Sequence, residues 1–467
     1  MSSPAPAKRS LVQLGYRRAA KRVPSRFNAR ALGEDGRLVL WNTFTGAVSA
    51  FRAEDRDAVA ALLSPEGTTD VSGRLAEHLD RRGFLVPDDV DELNRFRYAY
   101  ARGQWRSDTL ELTLLASEDC NFRCVYCYEK FEHATMRPEV REGIKRFVAR
   151  RAPQLSHLRV AWFGGEPLYG WEAVADLAPF FRDLTGQHGI AYAQDMTTNG
   201  YLLDDRRADA LLAWGCRSFQ VTLDGIAADH DCRRVGRDGT PTYEVILRNL
   251  LSLQRRQEPF LVVIRVNFDQ ENAPRLDALL EELSRAFRSD PRFLLRFRPV
   301  GKWGGARDAE LHTCGLDEGR RITHDLQAAA LDAGLRVEGG VQDHAAMGSQ
   351  VCYAARPYHF VVGATGTLMK CTVALDGLED NIVGRVHADG EWEILDERML
   401  RWVNPFFESD ATCRRCHLLP SCQGAACPLH RIQTGERSCC GSRSNLKHEL
   451  RLALRQPRAA IPSPQGG

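Results

Sequence analysis

The hydrophobic pattern is most regular in the central part of the chain, where two periods alternate. Leu110, Leu112 and Leu114 alternate with polar residues, and this period of two predicts a β-strand. The later segments repeat the pattern, each strand being followed by a stretch of helical period. The further predicted strands span 158–163, 191–197, 218–223, 261–268 and 293–300, and the helices span 139–150, 171–185, 206–214, 243–257, 275–287 and 321–334. Such β–α repeats predict an α/β fold with a parallel sheet, whose chemistry lies at the C-terminal ends of the strands.

The two ends of the chain have a different character from this core, which we place at 105–335. Residues 1–25 are rich in Pro, Ala and Arg and predict a flexible basic arm. Residues 26–95 predict a small domain, with a strand at 37–41, a turn at 42–46, helices at 53–63 and 71–82, a strand at 83–86 and a linking helix at 90–104. Residues 345–450 are rich in cysteine and poor in long periodic segments, so we expect metal rather than a large apolar core to hold them. Residues 456–467 are expected to form a tail.

Composition limits the classes of protein that fit. The chain has 467 residues, 43% hydrophobic and 27% charged, as in a soluble protein of two or three domains. Its net charge of +2 gives no sign of nucleic-acid binding, and neither a membrane-spanning run nor a secretory signal is seen. We therefore expect a cytoplasmic protein whose 14 cysteines bind metal or do redox work rather than form disulfides. The isolated Cys216, Cys232 and Cys314 are interpreted as small buried hydrophobes.

The first cysteine group directly follows the first core strand. Cys120, Cys124 and Cys127 are spaced so that three thiolates can bind three irons of a [4Fe-4S] cluster and leave one iron open. A structural zinc ion is the alternative, but it requires four ligands, and the nearest further candidate, His133, is six residues beyond Cys127. The spacing therefore favours the iron–sulfur cluster.

This spacing, with Tyr126 before the third cysteine, resembles that of the radical S-adenosylmethionine (SAM) superfamily. Further motifs of that family follow in the same order: Gly164-Gly165-Glu166-Pro167, Thr198-Asn199-Gly200, Thr222-Leu223-Asp224-Gly225 with Arg234 beyond it, and Arg265-Val266-Asn267 at the end of the fifth strand. The resemblance implies a partial (β/α)6 TIM-like barrel that holds the cluster and SAM. It implies that the glycine turn binds the SAM amino group, and that Thr222, in place of the usual serine, and Arg234 position its carboxylate and ribose. For Arg265 the alternative is a solvent-exposed charge at a strand end.

The remaining cysteines resemble the SPASM extension of peptide-modifying radical SAM enzymes, which implies two auxiliary [4Fe-4S] clusters. By that resemblance the inner cluster uses Cys352, Cys371 and Cys427, with a site open to a substrate thiolate. The outer cluster uses Cys413, Cys416, Cys422 and Cys439, preferred to Cys440 because Arg443 follows four residues later. The gap before Cys427 is four residues, where the family has three. Two zinc sites are the alternative.

Residues 26–95 resemble, at 42–47 and 83–86, the winged-helix-like peptide-recognition domain of enzymes that modify ribosomally made peptides. In that family the domain captures a leader peptide by adding it as an edge strand. The alternative is a structural cap on the barrel.

Together the resemblances imply an enzyme that cleaves SAM to a 5′-deoxyadenosyl radical and takes a hydrogen atom from a peptide. They imply a precursor peptide with a leader sequence and an electron donor such as flavodoxin or ferredoxin, with no nucleic acid or membrane as partner. No catalytic side chain is assigned. We expect a cross-link as the product, with a thioether preferred; carbon–carbon or carbon–oxygen coupling and epimerisation are the other outcomes.

Two rival functions remain. Anaerobic sulfatase-maturating enzymes share both cysteine regions, but they place an aspartate directly after the second SPASM cysteine. This chain has Thr372 there, and Asp376 is out of register. A non-catalytic iron–sulfur or zinc protein that binds peptides is the other rival, and the SAM-contact motifs argue against it.

Overall fold

The structure, a computed structural model, describes residues 21–64, 73–131, 133, 135–375 and 378–456. The expected arm up to residue 20, Asp376 and the expected tail from residue 457 lie outside these ranges. Among the helices of these ranges, none is both long enough and apolar enough to cross a bilayer.

The N-terminal unit is a three-stranded antiparallel sheet flanked by two helices and a strand pair. Its elements are β1 (Arg22–Pro24), β2 (Asn28–Leu32), β3 (Leu38–Asn42), β4 (Ala47–Phe51), α1 (Arg56–Leu62), α2 (Arg74–Arg81) and β5 (Leu85–Pro87), and the linking helix is α3 (Glu92–Gln104). The sheet order is β2-β3-β4, and β1 pairs antiparallel with β5. Residues 22–24 are thus a strand, so the prediction of a flexible arm as far as residue 25 is wrong there. Three residues are too few to show a strand period.

The core follows the predicted order of β–α units. Its strands are β6 (Thr109–Ser117), β7 (Phe122–Cys124), β8 (His157–Gly164), β9 (Ala191–Thr198), β10 (Cys216–Thr222), β11 (Arg234–Gly236), β12 (Leu261–Phe268), β13 (Phe293–Pro299) and β14 (Arg336–Val337). Its helices are α4 (Pro138–Arg151), α5 (Trp171–His188), α6 (Asp205–Ala213), α7 (Ala227–Arg233), α8 (Tyr243–Gln254), α9 (Leu276–Phe287) and α10 (Leu316–Asp332). The α/β class is confirmed.

The long core strands lie side by side in one parallel sheet. The order β14-β13-β12-β10-β9-β8-β6 places six long strands, each followed by at least one helix, next to each other, which is compatible with a partial (β/α)6 barrel. The helices bury their apolar stripes against the sheet; Leu177 and Phe181 of α5, for example, are completely buried. Because all strands run in the same direction, their C-terminal ends form one edge, where the motif residues meet.

The C-terminal region continues this sheet, contrary to our expectation that metal rather than an apolar core holds it. Its elements are β15 (His359–Val362), β16 (Thr367–Met369), β17 (Ile382–Val386), β18 (Trp392–Ile394), α11 (Asp396–Val403), α12 (Ala411–Arg415), α13 (Leu419–Cys422), α14 (Pro428–Thr434) and α15 (Gly441–Arg455). β15 pairs parallel with β6, and β16 to β18 follow antiparallel. Val361, Leu368 and Val383 are completely buried. Strands this short show no clear alternation in the sequence.

The last helix joins the C-terminal region to the N-terminal unit. Leu450 of α15 is completely buried in a cluster with Ala29 of β2 and Val39 of β3. The N-terminal unit therefore shares a hydrophobic core with the C-terminal region and is fixed against it.

Candidate active site

The first cysteine group lies on a segment that is held by strand pairing. Cys120 is buried, Cys124 and Cys127 are partly buried, and all three line one cavity at the C-terminal edge of the sheet. β7, which ends at Cys124, pairs antiparallel with β11, and Arg234 stands opposite Cys124 in the register. The cysteine segment and the segment of Arg234 therefore hold each other in place. This pairing was not predicted from the sequence, because each strand has only three residues.

Most of the predicted SAM-contact residues meet in the same cavity. Those that line it are Cys120, Cys124, Tyr126, Cys127, Gly164, Gly165, Thr198, Asn199, Thr222, Arg234 and Arg265. Three further motif residues do not line the cavity but are buried behind its wall: Glu166, Pro167 and Asp224. They therefore affect the cavity only by positioning the residues that line it.

Glu166 ties two motif turns together. Its side chain is fully buried; Oε1 accepts hydrogen bonds from the Thr198 hydroxyl at 2.7 Å and from the Leu168 backbone N–H at 2.9 Å. Oε2 accepts from the Asn199 backbone N–H at 2.6 Å. Burial raises the pKa of Glu166, and these three donors oppose that rise by stabilising the carboxylate. The geometry gives Glu166 a positioning role and leaves backbone carbonyls of the turn to accept from an ammonium group.

The glycines of the same motif allow two strand ends to pack closely. Gly164 has a φ of 120°, and a Cβ there would lie 2.2 Å from the carbonyl oxygen of Ser117. A Cβ on Gly165 would lie 2.5 Å from the carbonyl oxygen of Asp119. Only glycine permits this approach of the turn to the segment that leads into Cys120.

A buried polar network connects Tyr126 with three other strand ends. Arg234 donates from Nη1 to the Tyr126 hydroxyl at 2.8 Å, and the hydroxyl donates to the Asp224 carboxylate. Asn267 donates from Nδ2 to the Tyr126 hydroxyl at 3.1 Å and from its backbone N–H to Asp224 Oδ1 at 2.9 Å. His230 is fully buried and accepts at Nδ1 from the Asp224 backbone N–H. The network aligns the cysteine segment with the ends of β10, β11 and β12.

Thr222 and Arg265 present polar groups to the cavity. The Thr222 hydroxyl makes no hydrogen bond within the part of the chain that the structure describes, so it is available to a ligand. Arg265 donates from Nε to Asn267 Oδ1 at 2.7 Å and lines the cavity, which is not the solvent-exposed position of the alternative interpretation. Burial lowers the pKa of Arg265.

Several cavity residues were not predicted from the sequence. Gln220 follows the strand period, since it lies two residues from the predicted contact Thr222 on the same face, as Asn267 does from Arg265 within their predicted motif. Trp303 lies in the glycine-rich loop after β13, lines the cavity and is 58% exposed. Tyr128 and Phe163 also contribute aromatic side chains to the wall. A periodicity argument finds the first two, whereas the loop and aromatic residues carry no such signal.

The surroundings of the three thiols favour the protonated form, so a bound cation is needed to stabilise the thiolates. Burial raises the pKa of all three, that of Cys127 to about 12, and Arg234 opposes the rise at Cys124. The thiolate is the form that binds iron, so bound iron must supply the charge stabilisation that the cavity lacks.

The arrangement fits a cluster better than a single ion. Throughout the described ranges, no three His, Cys, Asp or Glu side chains converge closely enough to hold one metal ion. A [4Fe-4S] cluster binds each thiolate through a different iron, so its sulfurs stand further apart than the ligands of one ion. His133, the candidate fourth zinc ligand, is exposed and does not line the cavity.

The inner group of the second cysteine set is assembled from three separate segments. Cys352 donates its backbone N–H to the carbonyl oxygen of Ala425 at 3.0 Å, which ties it to the run that leads into Cys427. The thiols of Cys371 and Cys427 are both close enough to Cys352 to raise its pKa by charge repulsion, after the larger effect of burial. The structure therefore brings the three predicted ligands of the inner cluster into one neighbourhood.

The outer group lines one small pocket. Cys413, Cys416, Cys422, Cys439 and Cys440 all contribute to its wall. Cys440 is buried, whereas Cys439 is exposed and accepts a hydrogen bond at Sγ from Arg443 Nη1 at 3.2 Å.

The three isolated cysteines behave differently from one another. Cys216 is buried, as predicted, and Cys314 is partly buried. Cys232 is exposed, so its interpretation as a buried hydrophobe is wrong. It lies on α7 two residues after the buried His230, on the other side of this short helix.

An open parallel sheet with three thiols and a polar cavity at its carboxyl edge is the architecture of a cofactor-dependent α/β enzyme. Residues 114–283 match the family model of the Radical SAM superfamily. The core of the chain therefore contains a radical SAM domain, whose cofactors are a [4Fe-4S] cluster and SAM; the cavity residues above are those that would hold them.

Comparison with individual proteins gives more distant likenesses. The chain is 23% identical over 378 residues to the serine-type anaerobic sulfatase-maturating enzyme of Klebsiella aerogenes, covering 72% of this chain and 84% of that protein. It is 30% identical over 177 residues to GTP 3′,8-cyclase of Synechococcus elongatus, covering 36% and 50%. The fold is similar to native anSMEcpe with bound AdoMet and Cp18Cys peptide, with a TM-score of 0.53, 18% identity and coverage of 73% and 95%.

Proposed function

We propose that this chain is a radical SAM peptide maturase that installs a cross-link, preferably a thioether, in a ribosomally synthesised peptide. The choice of a cross-link rests on Thr372. This neutral residue directly follows Cys371, at the position where sulfatase-maturating enzymes have an aspartate. A hydroxyl does not accept a substrate proton at neutral pH as a carboxylate does.

The chain's own residues prepare the SAM site. When bound, the cluster and SAM supply a 5′-deoxyadenosyl radical, which takes a hydrogen atom from the substrate. Cys120, Cys124 and Cys127 hold the cluster, and the turn positioned by Glu166 receives the amino group of SAM. Arg234 and the Thr222 hydroxyl, both at the cavity wall, bind its carboxylate and ribose.

Thr372 is held by a neighbouring tyrosine. The Tyr353 hydroxyl lies 2.6 Å from Thr372 Oγ1 and accepts from the Thr372 backbone N–H at 3.1 Å. Tyr353 packs in the same hydrophobic cluster as Phe163, which lines the SAM cavity. Burial raises the pKa of Tyr353, so this pair stays neutral beside the cavity. A neutral pair after Cys371 supports chemistry in which the substrate supplies its own coupling partner.

The inner cysteine group supports a thioether. We propose that Cys352, Cys371 and Cys427 hold an auxiliary cluster with one open iron. A substrate thiolate bound there would be positioned to couple with a carbon radical, and the cluster would take up the surplus electron.

The N-terminal unit offers an edge strand to a leader peptide. Within the described residues β4 has a strand partner on one side only, and the opposite edge of the sheet, β2, packs against α15. Val48 of β4 accepts at its carbonyl oxygen from Arg82 Nη2, so its polar groups point away from β3. Ala50, two residues on, presents its backbone N–H to the same free edge. We propose that the precursor's leader adds to β4.

Formation of formylglycine is the second candidate, because of the similarity to the sulfatase-maturating enzyme of Klebsiella aerogenes over 72% of this chain. The two functions differ in product. A thioether keeps the substrate sulfur and forms no carbonyl group, whereas formylglycine carries an aldehyde. A hydrazide probe therefore labels only the second product.

The enzyme is tested by anaerobic reconstitution with iron and sulfide, followed by dithionite, SAM and a precursor peptide that carries a leader sequence. We expect about twelve irons per chain, 5′-deoxyadenosine, and a peptide lighter by two hydrogen atoms that does not react with hydrazide. About four irons would contradict the auxiliary clusters. No 5′-deoxyadenosine would support the non-catalytic alternative.

The peptide site is tested at one backbone position. Deletion of the N-terminal unit would disturb the fold, because this unit shares its hydrophobic core with α15. The substitution Ala50→Pro is more selective, since it removes only one outward N–H from β4. We expect peptide binding by fluorescence anisotropy to weaken about tenfold, while SAM cleavage without peptide is unchanged. Ala50→Ser is the matched control. Equal binding by the two variants would exclude β4 as the site.

A further inference from the structure

The pocket of the outer cysteine group opens to the surface. Cys439 is exposed, and the side chains of Arg437 and Arg443 form part of the pocket wall. This pocket shares no lining residue with the SAM cavity. A protein that docks over it would therefore leave the SAM cavity accessible.

Positive charge is concentrated around this pocket. Residues 404–456 hold eight Arg and Lys residues and only four Asp and Glu residues, in a chain whose net charge is +2. Two of the four acids are engaged in ion pairs: Asp410 lies 2.7 Å from Arg437, and Glu408 lies 2.8 Å from Arg97 of α3. This segment therefore carries a net charge of +4, and the acidic residues Glu34, Asp35 and Asp325 line a neighbouring cavity together with Arg443 and Lys447.

Several of these cations are available to a partner. Arg415 and Lys447 are exposed, and neither has a hydrogen-bond or ion-pair partner among the residues that the structure describes. Arg26 of the N-terminal unit extends the patch, since its Nη2 donates to the carbonyl oxygen of Arg414 at 2.5 Å. We call Arg26, Arg415, Arg437, Arg443 and Lys447 the basic face.

We propose that the basic face is the docking surface of an acidic one-electron carrier protein that exchanges electrons with the outer cluster. This inference rests on the proposed auxiliary clusters. In the reducing direction one electron leaves the carrier and enters the oxidised cluster, which changes from the 2+ to the 1+ state; no bond is made or broken and no proton is transferred.

Two physical arguments support this choice of partner. Complementary charge accelerates encounter by factors of about 10 to 1,000 and loses this effect as salt rises, which suits a partner that must bind and leave in each turnover. Transient redox complexes also use small contact areas, so a few unpaired cations around an exposed redox centre are sufficient. Nothing at the basic face forms the broad apolar surface that a permanent partner needs: among the described residues of 404–456, no large apolar side chain is strongly exposed.

The test uses the reconstituted full chain and flavodoxin hydroquinone as the acidic probe. The double variant Arg415→Glu and Lys447→Glu reverses the two unpaired charges without touching a cysteine contact described above. The matched control is Arg248→Glu with Arg288→Glu, two exposed arginines of the core that likewise have no partner in the described ranges. Stopped-flow bleaching of the cluster absorbance gives the second-order rate constant.

We expect the basic-face variant to be reduced at least tenfold more slowly than the control at low ionic strength, with the difference closing in high salt. Binding of oxidised flavodoxin, measured by calorimetry, should weaken in parallel. Reduction by dithionite, 5′-deoxyadenosine formation with dithionite and iron content should equal those of the control, which separates docking from the proposed function itself.

Equal rates and affinities in the two double variants would overturn the proposal. A lower iron content in the basic-face variant alone would also contradict it, because these charges would then maintain the cluster. Preferential binding of RNA by the wild type, lost in the basic-face variant while flavodoxin reduction is unchanged, would assign the face to another partner.

Discussion

The hydroxyl of Tyr126 lies 2.8 Å from Nη1 of Arg234, and this contact joins the cysteine segment to the strand that pairs with it. The same hydroxyl donates to Asp224 and accepts from Asn267. A single side chain thus connects the cluster-binding segment with the ends of three core strands, so its loss should affect the SAM site and the fold together.

Tyr126→Phe removes this hydroxyl and leaves its hydrogen-bond partners buried without it. We expect the free energy of unfolding to fall by about 2 kcal/mol and the SAM dissociation constant to rise about tenfold. Urea unfolding of the apo protein and calorimetry with the reconstituted protein measure the two effects. The control is Tyr98→Phe, because Tyr98 is 62% exposed on α3. SAM affinity equal to that of this control would show that the network does not organise the site.

Glu166→Gln replaces one carboxylate oxygen, which accepts hydrogen bonds, with an amide NH2 group, which cannot accept them. Since the carboxylate accepts three hydrogen bonds and is fully buried, we expect a loss of about 2 to 3 kcal/mol in unfolding free energy. SAM affinity should fall as well, because the turn at Thr198 loses its support. Urea unfolding and SAM calorimetry test this.

The matched control is Glu172→Gln. The Glu172 side chain is 80% exposed and forms an ion pair with Arg141, so we expect a change of less than about 1 kcal/mol. A loss at Glu166 no larger than that at Glu172 would contradict the positioning role.

Cluster retention should depend on pH. Burial raises the pKa of Cys120, Cys124 and Cys127, so the apo thiols are protonated at neutral pH and must release protons when iron binds. Higher pH favours proton release, so retention increases from pH 6.5 to pH 8.5. The measurement uses a variant that lacks the predicted C-terminal cysteine ligands, so that only the first cluster contributes. An iron chelator is added at both pH values, and the cluster absorbance should be lost more slowly at pH 8.5. Equal or faster loss there would contradict thiol protonation as the cause.

The adjacent cysteines of the outer group should differ in iron binding. Arg443 donates to the Cys439 sulfur and places a positive charge beside it. We therefore expect Cys439→Ser to lower the iron content from about twelve to about eight per chain, whereas Cys440→Ser retains about twelve. Iron analysis and electron paramagnetic resonance of the reduced proteins distinguish the two. Loss of iron from the Cys440 variant alone would reverse the assignment.

The periodic core was predictable from the sequence because regular burial imposes a regular pattern. The strand from Leu261 to Phe268 occurs with the predicted bounds, and the four other long core strands whose bounds were predicted begin and end within two residues of those expected. The C-terminal strands were missed because they have three to five residues, too few to show a period. The pairing of β7 with β11 was missed for the same reason and because its partners lie 110 residues apart.

The sequence alone determined that Cys120, Cys124 and Cys127 follow a strand and that the motif residues follow later strands. Parallel strands then bring those residues to one edge, so their convergence was predictable. Only the tertiary structure decided their individual roles. Glu166 and Asp224 are buried behind the cavity while Thr222 and Arg265 face it, and Arg437 and Arg443 line the same pocket as Cys439. These outcomes depend on which side chains become buried and which distant segments meet, and a linear pattern carries no information on contacts between residues far apart in the chain.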